Sequence, residues 1–134
     1  LFGLPGAFSP TCSTQQLPKY EEEYDTLTKY VDDVICLSVN DPFVMNAWFD
    51  SLDIKKVKTL PDGNGDLTQS LGMWVAKRNC NFGHRSWRFS MVVDIENSLI
   101  EKVWSEINFR NEADTDPYEV SDPNTMIEWL KSNS

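Results

Sequence analysis

The sequence predicts an α/β protein in which helices flank a mixed central β-sheet. Three observations carry that prediction. Val34-Ile35-Cys36-Leu37-Ser38-Val39 is a short, unbroken apolar run of the kind a strand buried on both faces presents. Segments with helical spacing or helical start signals lie on either side of it. Two more strand-like runs, Trp87–Val93 and Leu99–Ile107, are joined through Glu96-Asn97-Ser98, a hairpin connection. Strands alternating with helices, then a hairpin and a closing helix, make an α/β sandwich.

Taken in order, Leu1–Leu4 reads as the end of a strand and leads into a Pro/Gly turn. Thr11 to about Tyr30 reads as one helix, with Leu17, Tyr20, Tyr24, Leu27 and Val31 at three- and four-residue spacing and Glu21-Glu22-Glu23 as a solvated face. After the apolar strand, Asp41-Pro42 supplies an N-cap and a first-turn proline for a helix carrying Phe43, Ala47 and Leu52. Ile54–Leu60 is expected to be a short strand. Pro61-Asp62-Gly63-Asn64-Gly65-Asp66 is a turn cluster, with Asp66 as the cap of a helix running to about Trp74. Asn108–Ser121 is a polar, acidic loop, and Asp122-Pro123 starts a last helix with Met126, Ile127 and Leu130 facing inward.

With 134 residues and no internal repeat or linker, the expectation is one domain over residues 1–134. The net charge of −9 excludes nucleic acid and anionic membrane as partners, and no apolar run approaches the ~20 residues of a membrane span. Cys12, Cys36 and Cys80 form neither a disulfide framework nor a Cys-x-x-Cys pair, which fits a reducing compartment, so the expected location is cytoplasmic. No metal is expected. Asp62-x-Asn64-x-Asp66 has Leu67 and Met73 where a calcium loop needs glycine and glutamate, and Cys80-x-x-x-His84 has no paired ligands after it. His84 is the only histidine, which leaves no Ser/His/Asp arrangement.

The chemistry gathers at Cys12. A cysteine in the first turn of a helix faces free N–H groups and a partial positive charge, and both favour thiolate over thiol. The hydroxyl of Ser9, three residues earlier, can reach toward the same sulfur. These residues carry a family resemblance. Pro5-x-x-x-Ser9-x-x-Cys12 resembles the peroxidatic motif of the peroxiredoxins, and Pro5-Gly6-Ala7-Phe8-Ser9-Pro10-Thr11-Cys12-Ser13 is similar to that of their type II, glutaredoxin-linked branch. Leu37-Ser38-Val39-Asn40-Asp41-Pro42-Phe43-Val44-Met45 resembles that branch's strand-to-helix segment. Arg85-Ser86-Trp87-Arg88-Phe89-Ser90-Met91-Val92-Val93 resembles the strand bearing its active-site arginine.

The resemblance implies a thioredoxin-like fold and a thiol-dependent peroxidase acting on hydrogen peroxide and small alkyl hydroperoxides without metal, haem or flavin. It also implies a further N-terminal segment upstream of Leu1. Pro5, Ser9, Cys12 and Arg88 would be the catalytic set, with Arg85 a rival to Arg88. Thr11 contributes backbone N–H near the helix start, and Phe82 lines the mouth of the peroxide pocket or packs in the core. The larger rate term is a preorganised donor aimed at the developing charge on the O–O bond, worth roughly 10²–10³. Oxidised Cys12 would be restored by Cys36 as a resolving cysteine or, the favoured route, by external glutathione or glutaredoxin. Cys80 reads as a bystander, and Gln16, where relatives often have histidine, reads as lying outside the catalytic set. A homodimer through the loops around the site is the family expectation, with Phe43 or Trp48 as exposed aromatics to serve it. The rival readings are a thiol-disulfide oxidoreductase on the same fold and a non-enzymatic redox sensor.

Overall fold

Alternation along the strands sorts side chains onto the two faces of one sheet. The computed structural model describes residues 1–107 and 117–133. Its strands are β1 (Phe2–Gly3), β2 (Ile35–Ser38), β3 (Lys58–Pro61), β4 (Trp74–Lys77), β5 (Gly83–Ser86), β6 (Phe89–Asp94) and β7 (Leu99–Ser105). The main sheet has the order β3-β2-β1-β6-β7. It is parallel from β1 through β3 and antiparallel across β1–β6 and β6–β7, so it is mixed as expected. β1 sits at its centre, with Phe2 opposite Cys36 on one side and Ser90 on the other.

One face buries Phe2, Leu4, Cys36 and Val92 under helices, and the other buries Leu37, Phe89 and Met91. The helices are α1 (Leu17–Glu22), α2 (Tyr24–Leu27), α3 (Pro42–Ser51), α4 (Asp66–Ser70) and α5 (Pro123–Ser132). Leu17, Tyr20, Leu27, Met45, Trp48, Phe49, Met126, Ile127 and Leu130 pack on the first face. The second is covered by Met73, Val75 and Trp87, with Leu67 and Leu71 beside them. Tyr20 stacks flat on Phe2, with centroids 3.9 Å apart, and its hydroxyl donates to the Ser121 carbonyl at 2.8 Å. A buried tyrosine needs such a partner.

Asp41 and Asp122 cap α3 and α5 as expected, accepting from the Val44 and Thr125 N–H groups, each contact worth about 1 kcal/mol. Elsewhere the structure corrects the expectations. The helix predicted from Thr11 to Tyr30 is broken at Glu23, and Cys12–Gln16 forms a π-helical turn before α1. Pro18 explains the wide turn. It has no N–H for the Thr14 carbonyl and its ring excludes that carbonyl, so the backbone opens and Leu17 N–H bonds the Cys12 carbonyl instead. Glu21 does more than face solvent, because its half-buried carboxylate accepts from the N–H groups of Lys55, Lys56 and Val57. Those contacts hold the segment that was expected to begin a strand at Ile54, and β3 starts at Lys58.

The N-cap position of α4 is Gly65, with Asp66 the first helical residue, and the carboxylate that accepts from Leu67 and Thr68 N–H comes from Asp62. The helix ends at Ser70, well short of Trp74. Gly65 makes the turn at φ 77°, and the Trp74 ring fills the place a side chain there would need. Trp74 opens the β4–β5 hairpin, a two-stranded sheet that the sequence pattern did not reveal. Trp48 is fully buried, which removes it as an exposed aromatic, whereas Phe43 is 85% exposed. Residues 108–116 of the predicted polar loop lie outside the described residues.

Candidate active site

Leu4 leaves β1 still hydrogen-bonded to β2 through its N–H and the Leu37 carbonyl, and the chain then turns above the sheet. Asn40 anchors the turn. Its Oδ1 accepts from Ala7 N–H at 3.0 Å and from Ser38 Oγ at 2.6 Å. Pro5 and Gly6 are buried, and Phe8 takes φ 63°, an outlier for a bulky residue. Ser9 ends the turn. Its hydroxyl donates to the Gly6 carbonyl at 2.7 Å, and its own carbonyl accepts the first helical N–H, from Ser13. Thr11 and Cys12 therefore lie within the first helical turn, whose backbone N–H groups have no carbonyl a turn earlier to bond and point off the helix end. The expected contact of Ser9 with the Cys12 sulfur is replaced by the closing bond to Gly6.

Arg88 meets Cys12 from the sheet. It sits one residue before β6 and is 1% exposed. Its Nη1 donates to Cys12 Sγ at 3.3 Å and to Gln16 Oε1 at 2.6 Å, and its Nε donates to the Pro117 carbonyl at 3.2 Å. The Tyr118 ring lies under the guanidinium, 5.7 Å from centroid to Cζ, and burial pushes the Tyr118 phenol up to about 12, so the ring stays neutral. Gln16 is fully buried and ties the arrangement back to the sheet by donating from Nε2 to the Gly3 carbonyl at 3.3 Å. Gln16 thus touches the set it was expected to lie outside. The only local sign of this was a long polar side chain one helical turn from Cys12, on the side that the apolar spacing marks as inward.

The rival Arg85 is held elsewhere. Its Nε donates to the Phe82 carbonyl at 3.0 Å and its Nη1 to the Val39 carbonyl at 3.3 Å, and its guanidinium lies over the Phe82 ring. Both residues flank Gly6, so Phe82 is half-buried beside the turn that precedes Cys12. Cys36 lies on β2 on the face that Cys12 covers, fully buried. Burial, with Cys12 as a second cause, pushes its thiol well above the usual cysteine range. Cys80 is exposed in the short 3₁₀ turn Arg78–Cys80 that links β4 to β5. Chemically, the centre offers a sulfur at a helix start, a cationic fork aimed at it, and a turn with a bound hydroxyl.

Comparison with known proteins agrees with this chemistry. Residues 1–116 match the redoxin family model. The chain is 50% identical to Peroxiredoxin y4vD of Sinorhizobium fredii over 133 residues, covering 98% of this chain and 70% of that protein. It is 52% identical to Peroxiredoxin sll1621 of Synechocystis over 134 residues, covering 98% of this chain and 69% of that protein. Among solved structures, it superposes on the Plasmodium falciparum antioxidant protein, a 1-Cys peroxiredoxin, with a TM-score of 0.92 and 45% identity, over 98% of this chain and 74% of the other. Its fold is thioredoxin-like, and the chain belongs to the peroxiredoxins, the thiol-dependent peroxidases of the redoxin family.

Proposed function

We propose that Cys12 is the peroxidatic cysteine, with Pro5, Ser9 and Arg88 completing the catalytic set, and that the substrates are hydrogen peroxide and small alkyl hydroperoxides. The observation that carries this is the Arg88 Nη1 donor 3.3 Å from Cys12 Sγ. The Cys12 thiolate attacks the terminal oxygen of R–O–O–H. An S–O bond forms, the O–O bond breaks, and the leaving alkoxide takes up a proton, giving Cys12 sulfenic acid and an alcohol. Arg88 stabilises negative charge first on sulfur and then on the departing oxygen. Because the Ser9 hydroxyl donates to Gly6, its lone pairs remain to accept the peroxide proton. Pro5 shields the sulfur from water, Thr11 lends backbone N–H, and Phe82 lines the mouth.

We read the cycle as closing through an external thiol of the glutathione or glutaredoxin kind, as in the type II branch. The thiol attacks the sulfenic sulfur with loss of water, and a second thiol displaces Cys12 as thiolate. Support comes from Cys36, whose raised thiol is a poor nucleophile on a buried strand, and from the one-cysteine description of the Plasmodium relative. We read the chain as one peroxiredoxin domain whose homodimer uses the active-site loops, with the exposed Phe43 and Phe8 as contacts. The test is intact mass and peptide mapping after one equivalent of hydrogen peroxide. One added oxygen at Cys12 is expected. A Cys12–Cys36 disulfide would replace the external route by an internal one, and an unmodified Cys12 would remove it from the role.

A further inference from the structure

Glu106 lies one residue past β7, buried, at 6% exposure. Its N–H bonds the Arg88 carbonyl at 3.0 Å, which extends the β6–β7 pairing one step beyond Phe89 and Ser105 and sets it beside Arg88. Its carboxylate turns to the returning chain. Both oxygens accept from Glu119 N–H at 2.9 Å and from Val120 N–H at 3.1 and 3.2 Å, and Oε2 also accepts from Ser121 Oγ at 3.1 Å. The segment clamped in this way includes Pro117 and Tyr118. Pro117 supplies the carbonyl that receives Arg88 Nε, and Tyr118 the ring beneath the guanidinium.

We infer that Glu106 is a positioning residue for peroxide reduction, acting through the 117–121 segment to hold the Arg88 fork on Cys12. A guanidinium has several rotatable bonds behind it, and the bond to Gln16 is made at Nη1, the same nitrogen that meets the sulfur. Aim at the sulfur also requires that Nε be held, and Nε is held by a carbonyl in a segment with no regular secondary structure. Such a segment keeps its place through specific anchors. A carboxylate accepting two backbone N–H groups and a hydroxyl is a strong one, since charge-assisted hydrogen bonds are roughly twice as strong as neutral ones. Small displacements of a reacting geometry are costly in rate, and a misplacement of about 1 Å can cost on the order of a hundredfold.

The inference rests on the role proposed for Arg88, and the test separates the two. The rate of the first peroxide-dependent change in tryptophan fluorescence would be measured by stopped flow for the unsubstituted chain, Glu106→Gln, Arg88→Gln and the double variant, with thermal unfolding as a check on folding. Glu106→Gln puts an N–H₂ group against backbone donors, and is expected to slow the peroxide step by about ten- to a hundredfold. In the Arg88→Gln background the same change should cost nothing further, because its path runs through Arg88. A residue that only maintains the fold would give losses that multiply. Full rate in folded Glu106→Gln, or multiplying losses, would overturn the inference and leave the Arg88 reading standing. A normal rate in Arg88→Gln alone would overturn that reading and the inference with it. Should Glu106→Gln fail to fold, Ser121→Ala removes one donor from the same carboxylate. It is expected to slow the step by a few fold, again with no further cost once Arg88 is replaced.

Discussion

Cys12 and Cys36 make a natural comparison. Both are fully buried, both belong to one core cluster, and neither is in a disulfide. Cys36 sits mid-strand among apolar neighbours, where burial holds its thiol protonated and it behaves as a small hydrophobe. Cys12 sits at a helix start with a guanidinium nitrogen 3.3 Å from its sulfur. Burial therefore does not distinguish the cysteine proposed as peroxidatic from the one on the strand. The difference lies in what touches the sulfur: a guanidinium nitrogen stands 3.3 Å from that of Cys12, and among the described residues no such donor meets that of Cys36 on its strand. The same desolvation that silences Cys36 strengthens the attraction between Arg88 and Cys12.

Substitutions can sharpen or break that contrast. The largest effect is expected from Arg88→Gln, which gives Cys12 an environment closer to that of Cys36. The peroxide step should slow by at least about a hundredfold, the usual worth of a charge-stabilising donor, and a near-normal stopped-flow rate would break the comparison. Gln16→Leu comes next. It keeps the volume but removes the acceptor for Nη1, so the cation stays near the sulfur with less precise aim, and a loss of about tenfold is expected in the same measurement. Cys36→Ser should have the smallest effect on catalysis. Glutathione-linked turnover should be retained, while a hydroxyl placed on the buried strand costs about 1–3 kcal/mol in denaturant unfolding. Loss of turnover in that variant would mean that the strand cysteine takes part in the cycle.

What could be read from the chain and what could not divide along sequence distance. The caps Asp41-Pro42 and Asp122-Pro123 and the turn from Pro5 to Cys12 act on backbone a few residues away, so their meaning is local and legible. Arg88 was legible through the family resemblance, whose active-site arginine directly precedes an apolar strand as Arg88 precedes Phe89–Val93. Gln16 was not, since its partner is 72 residues away and nothing near it in sequence asks for an acceptor. The anchoring role of Glu21 was missed for the same reason, because the N–H groups it caps belong to residues 55–57. The β4–β5 hairpin escaped because Trp74–Lys77 and Gly83–Ser86 are short and carry Lys77, His84 and Arg85. Their strand character comes from pairing with each other and packing under the main sheet rather than from composition.

Gly3 carries a consequence of another kind. The Phe89 ring lies where a side chain on Gly3 would go, and these two residues are register partners on the central strands. Positions 3 and 89 therefore share a fixed volume, and substitution at one is conditional on the other. Gly3→Ala is tolerated only with a smaller residue than phenylalanine at 89. The Gly3 carbonyl receives Gln16, and Phe89 follows Arg88 in the chain. A change in this pair would thus shift Gln16 and the backbone of Arg88 at once, so the tolerated sequences at positions 3 and 89 should be few and should vary together.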